Sequence, residues 1–147
     1  MQLPDPVPGL VIRYGFLWSR EQRAAQEEGK DRPAAILLLT EINATAKRVY
    51  VLAITHSAPR ESARESVTAI EIPHRVKRHL GLDDARSWIV LDEVNDFIWP
   101  GFDLSPVPAS NPARIDYGML PPAFFNAVRD AFVALYNARR VKVVKRE

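Results

Sequence analysis

The sequence contains no cysteine, which excludes a disulfide framework, a thiolate nucleophile and any cysteine-ligated zinc or iron–sulfur centre. Glycine is scarce as well. Six are scattered over 147 residues, and none falls into the Gly-rich spacings whose backbone amides cradle nucleotide phosphates. No Gly-x-Ser-x-Gly elbow is present, so a serine hydrolase lacks its usual frame. No apolar run approaches the roughly 18 residues of a membrane span, and the opening "MQLPDPVPGL" has no basic leader with an apolar h-region. The expectation is a cytoplasmic protein with no membrane partner. Of the three histidines, His74 and His79 stand five apart, a poor fit to one helix face, and no H-E-x-x-H or EF-hand loop occurs. No metal or other cofactor is expected.

What is present is an ordinary globular balance, 47% hydrophobic and 26% charged, in a length that fits one domain over 1–147. The net charge is only +2, but "NARRVKVVKRE" at the C-terminal end carries five Lys/Arg against one Glu. Two readings are open for it. It can be a solvated tail whose cations lie favourably after a helix C-terminus, or a basic end drawn to a polyanion such as RNA.

Along the chain, "GLVIRYGFLW" is rich in strand-forming residues, and "SREQRAAQEEGKD" is a polar excursion or a short surface helix. "RPAAILLLTEI" reads as a buried strand, with Pro33 tolerated at its start, and "RVYVLAIT" as its antiparallel partner across the turn "NATAKR". A long polar loop, "HSAPRESARES", leads to the strand "VTAIEIP". "HRVKRHLGLDD" predicts a short helix with Gly81 as C-cap, and "SWIVLDEVNDFIW" a strand that bends at its acidic middle. "FDLSPVPASNPARIDYGML" has three prolines and little periodicity, which predicts an irregular surface wrap. "LPPAFFNAVRDAFVALYNARR" predicts the main helix, with Phe125, Val128, Phe132 and Leu135 on one apolar stripe. Several strands and one C-terminal helix favour an antiparallel barrel or strongly curved sheet with an appended helix.

Polar residues at strand ends carry the candidate chemistry. Arg32 opens one strand and Thr55-His56-Ser57 closes its partner, so an antiparallel pairing brings them to the same end of the sheet. A guanidinium offers paired donors to phosphate oxygens, a hydroxyl adds another, and His56 can exchange protons near neutral pH. The bland alternative is a surface arginine and a loop-capping threonine.

These segments, in this order, resemble the MazF/PemK (Kid) toxins of bacterial toxin-antitoxin systems. "GLVIRYGFL" is similar to the family's opening "GD(V/L)-x-x-(V/A)-D-(F/L)", "RPAAILL" to its "RPAVVL", and "LAIT" to its threonine-ended strand. "IEIP", "IVLDEVNDFI" and the helix after "MLPP" follow in family order. The resemblance implies an SH3-like antiparallel β-barrel with peripheral helices and a homodimer. It also implies a metal-independent endoribonuclease that cuts single-stranded RNA, inhibits growth and is held in check by a cognate antitoxin. Arg32 and Thr55 stand where the family has its catalytic arginine and threonine. Around them His56 is a further catalytic candidate, and Ser57, Arg60, Glu21 and Gln22 are candidate RNA contacts. The chain departs from the pattern in its longer Ser19-to-Asp31 loop, in His56, which is not a fixed family residue, and in its longer wrap. The lengthened loop motivates an alternative: the same barrel used without catalysis, as an RNA binder or as an inhibitor of a protein target, as in the related CcdB-type gyrase poisons.

Overall fold

The computed structural model describes residues 3–59 and 67–146. Among the described residues, eight strands and three helices follow in the order β1 (Leu10–Phe16), α1 (Ser19–Arg23), β2 (Lys30–Glu41), β3 (Lys47–Thr55), β4 (Ala69–Glu71), α2 (His74–Leu80), β5 (Trp88–Val90), β6 (Glu93–Trp99), β7 (Asp116–Met119), α3 (Pro122–Asn137) and β8 (Lys142–Lys145). The protein is mainly β, a curled and largely antiparallel half-barrel. β2 lies between β1 and β3. The far edge of β3 is divided: its first residues pair with β6, and Ile54 and Thr55 pair with β5. The acidic bend expected in "IVLDEVN" is this changeover, with Leu91 and Asp92 between the two strands.

The central strands are continuous apolar runs because both faces of the sheet are covered. Successive residues alternate between two cores. Val11, Ala35, Leu37, Leu52 and Ile54 face α2 and α3, where Val76, Leu80, Val128, Phe132 and Leu135 meet them. Ile12, Tyr14, Ala34, Ile36, Val51 and Ala53 fill the opposite side with Phe97 and Ile115. The apolar stripe expected on the last helix is the face α3 buries, with Phe125 at its partly buried margin.

Two expectations give way. Part of the proline-rich wrap is a strand: β7 pairs with β1, with a register shift between Val11 and Ile12. The basic C-terminal segment is neither a free tail nor wholly solvated, since β8 runs parallel to β6 and Val144 and Arg146 are buried. Both strands have four residues, too few for a period to stand out, and their partners lie far away in sequence. Among the described residues, no helix is long and apolar enough to cross a membrane.

Gly29 sets how the α1 loop re-enters the sheet. A Cβ there would overlap the backbone carbonyl of Phe16, and backbone cannot swing aside as a side chain can. Gly29→Ala should therefore destabilise the protein by about 1–3 kcal/mol, as overpacking typically does. Thermal unfolding followed by circular dichroism measures this, and an unchanged melting temperature would show that the loop yields.

Candidate functional site

Pairing between β2 and β3 extends to Ala34 and Ala53. Pro33, with no N–H to give a ladder, stands just outside it. One residue further out on β2 is Arg32, and two beyond Ala53 on β3 is Thr55. Continuing the register sets them opposite each other, and side-chain alternation puts both on the face of Ala34 and Ala53. The mouth of the sheet thus opens where the strands part, with a guanidinium on one lip and a hydroxyl on the other.

Arg32 and Thr55 form the ridge between two adjoining cavities. The first, about 370 Å³, is also lined by Arg13, Lys30, His56 and Tyr117, with Val107 and Pro108 of the wrap along its border. The second, about 470 Å³, is lined by Trp18, Arg20, Ser57, Asp92 and Glu93. Both volumes fall within the range of small-ligand pockets.

The Arg32 guanidinium lies with Cζ 5.7 Å from the centre of the Trp18 ring, and Arg20 approaches the same ring at 5.9 Å. Its Nε is buried and has no hydrogen-bond partner among the described residues. Burial lowers the Arg32 pKa from its ordinary value, the Glu21 carboxylate opposes that shift, and the Arg20 charge adds to it. An arginine nonetheless keeps its charge in a protein. A half-buried cation attracts an anion more strongly than one spread in water.

Thr55 is half-buried, and its Oγ1 accepts the Ser57 N–H at 3.2 Å. That bond uses a lone pair and leaves the hydroxyl hydrogen free to be donated. His56 is exposed on the lip, its Nε2 2.8 Å from Asp83 Oδ2. Asp83 Oδ1 in turn accepts Lys77 Nζ at 2.6 Å. These contacts hold the Asp83 carboxyl below its ordinary range, the Lys77 hydrogen bond being the largest cause.

The structure thus gathers Arg32, Thr55 and His56 at one cavity, with Ser57 bordering the other. Glu21 accepts the Trp18 N–H at 3.0 Å and so braces the Trp18 turn at the start of α1. Gln22 points elsewhere: its Nε2 donates to the Lys145 carbonyl at 3.3 Å, in a separate cavity beside Arg146. The Arg60 position lies outside the described residues. Trp18, Arg13, Lys77 and Asp83 were not singled out from the sequence. Trp18 carried a usable signal, an aromatic ending a strand just before an arginine-containing polar loop. Asp83 carried almost none, because its contact with His56 spans 27 residues.

No protein-family model matches the chain, and no curated protein sequence matches it.

Proposed function

We propose that this protein is a metal-independent endoribonuclease that cuts single-stranded RNA, built on an SH3-like barrel and acting as the growth-inhibiting partner of an antitoxin, as a homodimer. The observation that carries this reading is the Arg32–Thr55 ridge, where the register sets a guanidinium-bearing and a hydroxyl-bearing residue opposite each other and both line two adjoining cavities of about 370 and 470 Å³. The resemblance to MazF/PemK toxins supplies the reaction class, and the geometry suits it.

In that reaction the RNA 2′-oxygen attacks the adjacent phosphorus, the bond from phosphorus to the 5′-oxygen breaks, and a 2′,3′-cyclic phosphate and a 5′-hydroxyl result. Negative charge grows on the non-bridging oxygens as the phosphorane forms. Arg32 stabilises that charge from a partly desolvated position, where a fixed cation acts more strongly than in water. Thr55 donates its free hydroxyl hydrogen to a second non-bridging oxygen. Arg13 and Lys30 add positive charge along the first cavity, and Trp18 offers a ring on which a base can stack in the second.

The test is cleavage of mixed RNAs by purified protein in excess EDTA, with chemical mapping of the ends. Upstream fragments carrying cyclic phosphate are expected, and no cutting across unrelated RNAs overturns the reading. Thr55→Val, which keeps the shape and removes the donor, should slow single-turnover cleavage about 10–100-fold, the value of one hydrogen bond to a charged group. A rate within twofold of the parent would remove Thr55 from the reaction.

A further inference from the structure

His56 and Asp83 of the first cavity, with the buried Lys77 behind them, form a chain of three side chains that the phosphate-cradling pair does not use. Lys77 of α2 has a side chain 3% exposed, and its Nζ donates both to Asp83 Oδ1 and to the Ala85 carbonyl. Gly81, at φ 69 in the left-handed region, ends α2 and turns the chain back so that Asp83 returns over Lys77. Asp83 Oδ1 also accepts the Ala85 N–H at 3.1 Å. One carboxylate oxygen is therefore fixed from two sides, and the other, Oδ2, is presented to His56 Nε2. An exposed surface ion pair has no need of a buried lysine behind it, and desolvating an ammonium group is costly.

We infer that Asp83, anchored by Lys77, is a positioning residue that holds His56 with Nδ1 as the proton acceptor for the RNA 2′-hydroxyl; this rests on the ribonuclease reading above. The Asp83 carboxylate is ionised at neutral pH and accepts only, so the hydrogen in the 2.8 Å contact belongs to Nε2. In the neutral imidazole the lone pair then lies on Nδ1.

Arg32 and Thr55 line the same cavity as His56, so a phosphate on their ridge has its ribose within the same small volume. The proton leaves O2′ for His56 Nδ1 as O2′ bonds to phosphorus. The P–O5′ bond breaks, its electron pair stays on O5′, and O5′ takes a proton from water. His56 later returns its proton to solvent. The other charged and titratable side chains lining this cavity are Arg13, Lys30, Asp31 and Tyr117. Of these and Asp83, Asp83 is the group in hydrogen-bond contact with the ring.

The experiment has two readouts. The first is ¹⁵N NMR of the histidine rings in the intact protein without RNA, in the parent and in Asp83→Ala. The expected parent spectrum has hydrogen on Nε2 of neutral His56, and the variant loses that preference. The second is single-turnover cleavage. Asp83→Ala should lower the rate about 10–100-fold, part of the typical contribution of a general base, with KM changed less than twofold, and Asp83→Glu should restore most of it. A loss of rate with an unchanged tautomer means a structural role and overturns the inference, as does an unchanged rate. If Asp83→Ala fails to fold by circular dichroism, His56→Gln carries the test: a loss of about 100-fold supports the base and an unchanged rate removes it. Should the parent cut no RNA, the ribonuclease reading falls and takes the catalytic role of His56 with it. Normal cutting that is indifferent to Asp83 and His56 removes this inference alone.

Discussion

Arg32→Ala is expected to lower single-turnover RNA cleavage about 10²–10³-fold, the loss seen when one preorganised donor to a developing oxyanion is removed. The direction follows from what surrounds the side chain. Its Nε is buried without a partner among the described residues, the residue is half-buried, and Cζ lies over the Trp18 ring. Little is gained by holding it there unless an anion arrives. Arg32→Lys should recover only a small part, since an ammonium keeps the charge but loses both the planar fork and the fit over an indole. KM should move much less than kcat, because the demand for the donor grows as the phosphorane forms. Folding should be little affected, as Arg32 lies at the mouth and outside both cores. Stopped-flow or quench-flow cleavage, with circular dichroism as the control, measures all of this. Retention of more than a tenth of the parental rate would take Arg32 out of the transition state.

The same residue shows what a sequence reader can and cannot reach. Arg32 and Thr55 were legible because two long apolar strands joined by a short turn fix their own register, and a hairpin determines which ends meet. The main helix was legible because three turns of apolar stripe leave few alternatives. β7 and β8 were not, since four residues such as "KVVK" carry no period and their pairing is decided by partners elsewhere in the chain. The contact between Asp83 and His56 was hidden for a related reason. It depends on the left-handed turn at Gly81 as much as on either side chain, and the sequence marks the turn without saying where the returning chain lands.

Arg146 is where the sequence reading and the structure part most, and where the largest stability effect is expected. Read as sequence, it belongs to a basic end that could be solvated. In the fold it is 9% exposed and fastens four separate segments. Its Nη1 donates to the Gly15 carbonyl at 2.8 Å, to Asn95 Oδ1 at 3.1 Å and to the Tyr14 hydroxyl at 3.3 Å. Its Nη2 reaches Asp103 Oδ1 at 3.1 Å and the Glu27 carbonyl at 3.4 Å. Asn95, itself fully buried, uses its remaining capacity on the backbone N–H and carbonyl of Leu17. Arg146→Met would keep much of the apolar stem but remove all of these donations at once, leaving the Gly15 carbonyl and the Tyr14 hydroxyl without this donor in the interior. Breaking a buried ion pair from one side costs about 3–5 kcal/mol, a large share of the roughly 5–15 kcal/mol that holds a domain folded. For a chain of this size that corresponds to a melting temperature lower by on the order of 10 °C. Lys145→Met, one residue earlier and exposed, should shift stability by no more than about 0.5 kcal/mol. The contrast separates the two readings of the basic segment. A polyanion-binding tail would lose RNA affinity in a salt-dependent way at either position and keep its melting temperature at both, whereas a buried clamp makes residue 146 alone decisive for folding.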